Sequence, residues 1–113
     1  MIKRQKQIID LANQYLKIHS IFDYEVILCS YSEDYVAAVN NIDKQFKINP
    51  YHFESGKIDF TYWTQIILHE IAHIIVFKEY GKVKYIHGKE FKNTCELLKC
   101  EFNTRVISYK KYK

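Results

Sequence analysis

The longest hydrophobic stretch of the chain lies between residues 60 and 77, where apolar side chains occur almost all round a helical projection. A helix that is apolar on nearly every side runs through a protein core rather than along its surface. The pattern therefore predicts a buried helix that begins at about Asp59 or Phe60 and ends at Tyr80. Asp59 is the expected N-cap, and Gly81 is expected to close the helix as the residue just beyond its C-terminus.

Helical spacing predicts two further helices. The first covers about residues 3 to 20, with an apolar stripe formed by Ile8, Leu11, Tyr15, Ile18 and Phe22. The second runs from about Gly88 to Phe102, with a stripe formed by Phe91, Cys95, Leu98 and Phe102. Each has one apolar face, so both are expected to pack on the buried helix or on a sheet.

Three short segments between the first two helices predict strands: residues 26–29, 35–39 and 45–49. Polar turns at residues 32–34 and 40–44 separate them, so we expect a three-stranded antiparallel meander. Residues 104–109 fit either a last strand or an extended tail. The predicted fold class is α+β: an N-terminal helix, a three-stranded antiparallel sheet, a central helix and a final helix.

Composition fits one small domain over residues 1–113, with 48% hydrophobic and 16% aromatic content and only three glycines and one proline to mark linkers. The N-terminus has no continuous apolar core of an export signal, and no 18-residue uncharged apolar run suggests a membrane span. With an odd number of cysteines, these features predict a cytoplasmic protein.

The cysteines do not predict a metal site of their own. Cys29, Cys95 and Cys100 are too few for a four-cysteine zinc ribbon. If the last helix continues to Phe102, Cys95 and Cys100 are about 500° apart and face different directions. We therefore expect small, buried apolar side chains at these positions.

The residues best suited to bind a metal and catalyse a reaction lie in the buried helix, in the motif His69-Glu70-x-x-His73. Four residues along a helix return to the same face, so the two imidazoles can share one metal ion. Glu70 lies about 100° round the helix from His69, beside the metal rather than on it. That is the position of a general base for a zinc-activated water.

A catalytic zinc ion usually takes three protein ligands and leaves one position for water, so a third donor is expected downstream. His87 is the leading candidate, and Glu90, one turn into the last helix, is the alternative. Gly88 is expected to let the backbone pass close to the metal. His19 and His52 lack ligand spacing. Tyr85, His52 and Tyr109 are possible oxyanion donors, and spacing does not choose among them.

The segment His69-Glu70-x-x-His73, followed by His87-Gly88-x-x-Phe91, resembles the SprT-like zinc metallopeptidases. This resemblance covers roughly residues 45 to 102, with Asn49-Pro50 as a weaker sign. It implies a minimal zincin-like domain in which His69, His73 and His87 bind one catalytic Zn²⁺ and Glu70 is the catalytic base. The C-terminal zinc ribbon of some bacterial members is not present in this sequence, so the resemblance leaves substrate recruitment open.

The functional hypothesis is a zinc-dependent endopeptidase that binds an extended or flexible protein segment along a sheet edge. Since some members of the family act on proteins crosslinked to DNA, the substrates are expected to include DNA-associated proteins. Net charge +4, with basic residues at 3–6 and a basic, aromatic tail at 109–113, fits either binding of single-stranded DNA or a soluble surface with an unstructured end, and the sequence does not choose between them.

Two alternatives remain open. One is a zincin of another class, with a glutamate as third ligand, that cuts a repressor or regulator. The other is a non-enzymatic interaction module that zinc only stabilises. The sequence does not predict an oligomeric state.

Overall fold

The computed structural model describes residues 3–29, 36–49 and 60–100 of the chain. Within these ranges it contains α1 (Lys3–Ile18), β1 (Glu25–Leu28), β2 (Ala37–Asn40), β3 (Gln45–Ile48), α2 (Phe60–Tyr80) and α3 (Lys89–Leu98). The predicted α+β class is confirmed. The expected N-cap Asp59, the turn at 32–34 and the segment 104–109 lie outside the described residues.

The N-terminal helix ends earlier than predicted, and only part of the predicted stripe packs on the core, because Leu11 and Tyr15 are half-buried against it while Ile18 and Phe22 are not. Its buried side chains, spaced four apart, are Ile8, Ala12 and Leu16. Ser20 has a φ of 59°, and the backbone N–H of Ile21 donates to the Leu16 carbonyl over 2.8 Å. This reversal, typical of the Schellman motif, carries Ile21 into the core and leaves Ile18 and Phe22 exposed.

The sheet is mixed, so the predicted antiparallel meander is wrong. The strand order is β1-β3-β2, with β3 in the centre. β2 and β3 pair antiparallel, while β1 and β3 pair in parallel, with Val26 opposite Phe46 and Leu28 opposite Ile48. The meander was predicted on the assumption that strands adjacent in sequence pair with each other.

Two local features explain this arrangement. Asn40 accepts hydrogen bonds from the backbone N–H groups of Ile42 and Asp43, each over 3.0 Å, which stabilises a tight turn and makes β2 and β3 a hairpin. β3 takes the central position because Phe46 and Ile48 are fully buried. Among the described strands, β2 is an edge of the sheet, and α2 packs against it.

The central helix α2 contributes to two hydrophobic clusters, which explains why it is apolar almost all round. One cluster joins it to α1 and the sheet, through Trp63, Ile66, Ile67, Ile71 and Ile74. The other joins it to α3, through Ala72, Val76, Phe91 and Cys95. In the described ranges, no helix is long and apolar enough to cross a membrane.

Gly81 closes α2 as predicted. Its φ is 70°, and its backbone N–H donates to the carbonyl of Phe77 over 2.8 Å. A single bond of this kind to a residue four positions back defines the simple left-handed cap. The chain then turns and enters α3, for which Gly88 is the N-cap.

The last helix is shorter than predicted, and this changes the relation between two cysteines. Lys99 adopts a left-handed conformation with φ of 59°, and the N–H of Cys100 donates to the carbonyl of Cys95 over 3.0 Å. The prediction that these cysteines face different directions is wrong because the chain reverses at Lys99. Cys100 packs against the cluster that contains Cys95. Cys95 is buried as expected, whereas Cys29 and Cys100 are half-buried.

Candidate metal centre

Two histidines and a glutamate project from the middle of α2. His69 is 3% exposed and Glu70 9%, while His73 is half-buried. The ring centroids of His69 and His73 lie 5.0 Å apart, with the planes at 77°. Because these histidines are four residues apart on one helix, the backbone fixes their relative position.

His87 approaches this pair from the turn between α2 and α3. Its Nε2 lies 3.1 Å from Nε2 of His73, and the ligand nitrogens of the three imidazoles all lie within 4.8 Å of one another. Nitrogens bound to one tetrahedral zinc at 2.0–2.1 Å would be about 3.3 Å apart. The structure thus brings together His69, His73 and His87, and this donor set fits a single zinc ion.

Glu90, the alternative third ligand, does not join the group. In the part of the chain that the structure describes, the cluster of potential metal ligands consists of the three histidines. Glu90 is half-buried, and its backbone carbonyl accepts a hydrogen bond from the Thr94 hydroxyl over 2.9 Å. His19 also lies outside the cluster, and His52 falls outside the described residues.

Burial changes the protonation of the site. It lowers the pKa of His73 to about 3, an effect that neighbouring His69 and His87 reinforce by charge repulsion, and it lowers the pKa of His87. Both imidazoles are therefore neutral at pH 7, which is the form that binds zinc. Burial also raises the pKa of Glu70 to about 8. A nearby divalent cation would oppose this shift by favouring the carboxylate.

Gly88 makes a close approach within its own turn. A Cβ atom at this position would lie 3.0 Å from Cβ of Tyr85 and 3.1 Å from its carbonyl oxygen. Tyr85 of the same turn is therefore the close neighbour of this position, and the expected approach to the metal stays a prediction. The Gly88 N–H donates to that carbonyl over 3.1 Å, so the missing side chain lets the turn that carries His87 close on itself.

Of the three possible oxyanion donors, Tyr85 is the one that falls within the described residues, and it is not placed at the site. Tyr85 is 66% exposed, with Nζ of Lys84 5.4 Å from its ring centroid. It does not line the cleft beside the histidines. His52 and Tyr109 lie outside the described residues, so the role of oxyanion donor stays unassigned.

A cleft of about 350 Å³ opens beside the histidines, and the sequence did not reveal it. Glu70 and His73 form part of its wall, together with Ala38 and Val39 of the edge strand β2. Asn41, in the turn after β2, also lines it, and the remaining lining comes from α2 and the turn after it: Val76, Phe77, Gly81, Lys82, Val83 and Ile86. Its walls come from distant parts of the chain, and no local pattern could have identified them together.

These features define a zinc metallopeptidase of the zincin-like type. One helix carries two imidazoles and a carboxylate, the following turn carries a third imidazole, and a strand of the sheet lies along the cleft. The chain belongs to the SprT-like family, whose model matches residues 2–111. This confirms the resemblance seen in the sequence motifs.

The fold is similar to that of two archaeal proteins described as metallopeptidase zymogens. Jannalysin of Methanocaldococcus jannaschii is 23% identical, with a TM-score of 0.62 and 88% of each chain covered. Abylysin of Pyrococcus abyssi is 18% identical, with a TM-score of 0.60 and coverage of 88% of this chain and 87% of that chain. At such identities the similarity is one of fold. None of the curated proteins matches this chain in sequence.

Proposed function

We propose that the protein is a zinc-dependent endopeptidase in which His69, His73 and His87 hold one zinc ion and Glu70 is the catalytic base. The observation that supports this most directly is the convergence of three imidazoles beside a cleft that His73 and Glu70 both line. A structural zinc site is normally closed by four protein ligands. Three imidazoles beside a buried carboxylate are the donor set of a catalytic site.

The residues divide the reaction between them. When bound, zinc supplies Lewis-acid activation of water and of the substrate carbonyl. Glu70 accepts the proton of the attacking water on its carboxylate and later delivers that proton to the leaving amide nitrogen. The enclosed position of Glu70 keeps bulk water from competing for the proton, and α2 holds it one residue from His69.

The substrate would bind in extended form along β2. Ala38 and Val39 of this strand, which is an edge of the sheet among the described strands, line the same cleft as His73. Main-chain hydrogen bonds to a sheet edge require an extended peptide and select little by side chain. Folded proteins offer few such segments, so flexible or unfolded regions are the expected targets.

The cleft also suggests a side-chain preference. Val76, Phe77, Val83 and Ile86 make most of its surface beyond the histidines apolar. Burying an apolar side chain is favourable by about 1.5–3 kcal/mol. We therefore expect faster cleavage of peptides with a large apolar residue next to the scissile bond, and Val83→Asp should reduce that preference.

The test of the proposed function compares wild type with Glu70→Gln on an unfolded protein such as casein. Glu70→Gln should bind one zinc per chain and lose proteolysis by at least about 10²-fold, since the base is removed while the ligands remain. Glu90→Gln is the matched control, because Glu90 lies on the neighbouring helix outside the histidine cluster. It should keep both zinc and activity.

Each alternative has its own outcome in this comparison. Loss of zinc in Glu90→Gln, with zinc retained in His87→Ala, would favour the first alternative, a zincin with a glutamate ligand that cuts a repressor or regulator. One zinc per chain with no proteolysis by wild type on any unfolded substrate would favour a zinc-stabilised interaction module. Undiminished cleavage by Glu70→Gln would remove the proposed base.

DNA-associated proteins are a narrower proposal for the substrate. Its support is a basic, aromatic turn next to the metal centre, with exposed Lys82, Lys84 and Lys89 and exposed Tyr85. Such surfaces bind phosphates and stack on single-stranded bases. Of the basic residues noted in the sequence, Lys6 pairs with Asp10 over 3.1 Å, and the tail at 109–113 lies outside the described residues.

The DNA proposal predicts salt-sensitive binding to single-stranded DNA. The double variant Lys84→Gln, Tyr85→Ala should weaken it, whereas Lys17→Gln, on exposed α1 surface, should not. Absence of wild-type binding at low salt would contradict the proposal and leave the peptidase assignment intact.

We further propose a reducing, cytoplasmic location, for which the support is the odd number of cysteines in the sequence.

A further inference from the structure

Phe91 is in contact with all three imidazoles of the metal centre. Its ring centroid lies 4.8 Å from that of His69, 4.3 Å from that of His73 and 4.9 Å from that of His87. The ring stacks on His73 at 26° and meets the other two edge to face, at 67° and 83°. Offset stacking and edge-to-face contact are the favoured arrangements of aromatic rings. One phenyl ring thus forms a common support for the ligand set.

Phe91 is itself held in place. It is 1% exposed and belongs to the cluster that joins α2 to α3, together with Ala72, Val76 and Cys95. Close packing of this kind restricts a core side chain to one rotamer. The ring therefore has a fixed position relative to the helix that carries His69 and His73.

The three histidines differ in how far the backbone alone orients them. His69 and His73 lie on one helix, which aligns them. His87 lies on an exposed turn, so the backbone of α2 does not align its ring with the other two. Phe91 follows His87 by four residues and lies in the first turn of α3. Its ring contacts the ring of His87 and the rings of both histidines of α2. It connects the least constrained ligand to the two that are already aligned.

We propose that Phe91 is a positioning residue that holds the three imidazoles in a ligand arrangement before the metal binds. Each ligand that is immobilised when the metal binds loses side-chain conformational entropy, which weakens binding. A ring that restricts all three side chains removes part of this cost from metal binding. Partners that orient metal-bound histidines typically contribute about 10–100-fold to metal affinity. This inference rests on the proposed function, because it assumes that the three histidines bind zinc.

The test uses two phenylalanines of equal burial, only one of which contacts the histidines. Phe91→Leu removes the ring at the metal centre, and Phe46→Leu removes a fully buried ring from the cluster of α1, α2 and the sheet. Zinc affinity is measured by competition with a chromophoric chelator, at a temperature where circular dichroism shows both variants folded. The visible spectrum of the cobalt-substituted protein reports the coordination geometry.

Phe91→Leu should lower zinc affinity by about 10–100-fold and alter the cobalt spectrum, while Phe46→Leu should lower thermal stability yet change neither readout. Equal zinc affinity in Phe91→Leu and wild type would overturn the positioning role and leave the metal site intact. A similar loss in both variants would also overturn it, since general destabilisation would then explain the effect. Failure of wild type to bind zinc would instead overturn the proposed function.

Discussion

Two glycines near the metal centre are required for different physical reasons. Gly81 adopts a φ of 70°, but a Cβ there would meet no atom within 4 Å. Gly88 has no such φ, but a Cβ there would be 3.0 Å from Tyr85. Gly81 is required by its left-handed backbone conformation, whereas Gly88 is required because Tyr85 lies too close to leave room for a side chain. Their substitutions should therefore affect different properties of the protein.

Gly88→Ala should reduce zinc affinity, because relief of the contact with Tyr85 must open the turn that carries His87. Gly81→Ala is the matched substitution, with the same added methyl group on the same connection. It should cost about 1 kcal/mol of folding free energy for the left-handed conformation and leave zinc affinity unchanged. Chemical denaturation and zinc competition measure the two effects. Equal zinc affinity in both variants would contradict the role of Gly88.

At the scale of elements, the left-handed end of α3 turns the chain so that Cys100 packs against the cluster that contains Cys95. The left-handed residue there is Lys99, whose N–H donates to the carbonyl of Glu96 over 3.3 Å while Cys100 donates to Cys95. Together these two bonds form a Schellman motif. A left-handed conformation is unfavourable for a residue with a Cβ. The cap that packs Cys100 against α3 is therefore under local strain that glycine would relieve.

Lys99→Gly should stabilise the protein by about 0.5–1 kcal/mol, because glycine adopts the left-handed conformation without a steric cost. Lys92→Gly, an exposed lysine in the interior of the same helix, should instead destabilise it by about 1 kcal/mol. Urea denaturation of the two variants tests whether the signs are opposite. Destabilisation by both substitutions would show that the cap conformation does not limit stability.

At the scale of the whole molecule, Asp23 connects three segments that are far apart in sequence. It follows α1, and both of its carboxylate oxygens accept hydrogen bonds from Nζ of Lys78, near the end of α2, over 3.1 Å. Nζ of Lys44, at the start of β3, lies 3.6 Å away. The hydrogen bond from Lys78 holds the pKa of Asp23 below its usual value.

The stabilisation that Asp23 provides should depend on pH in a defined direction. Because the pKa of this carboxyl is lower in the folded than in the unfolded protein, its contribution is fully present above about pH 4, the ordinary value of an aspartate. It is lost as the pH falls through the folded pKa. A double-mutant cycle of Asp23→Asn and Lys78→Met, measured by urea denaturation, should show coupling at pH 7 and none at pH 2.

The pair is exposed, so the coupling should be small and should weaken further in high salt. A coupling that stays constant down to pH 2 would show that the contact acts through packing rather than charge. A similar cycle on Lys6 and Asp10, which pair within α1, provides a local reference. The Lys6–Asp10 pair lies within one helix, so unlike the pair of Asp23 and Lys78 it does not connect separate segments of the chain.

The sequence by itself determined the features that depend on neighbouring residues. The buried α2, its closing Gly81 and the alignment of His69 with His73 follow from helical periodicity, which acts within one or two turns. His87 was also predicted, because its spacing and the adjoining Gly88 and Phe91 form a motif. These are properties of short segments, and the structure reproduces them.

Only the tertiary structure decided what depends on contacts between distant segments. The parallel pairing of β1 with β3 required knowledge of which strand is most buried. The cleft joins β2 to the turn after α2, and the phenyl ring of Phe91 in α3 contacts two imidazoles of α2. No periodic pattern relates these parts of the chain. Hydrophobic burial selects these arrangements globally, since each side chain gains by leaving water and many pairings satisfy the local pattern equally well.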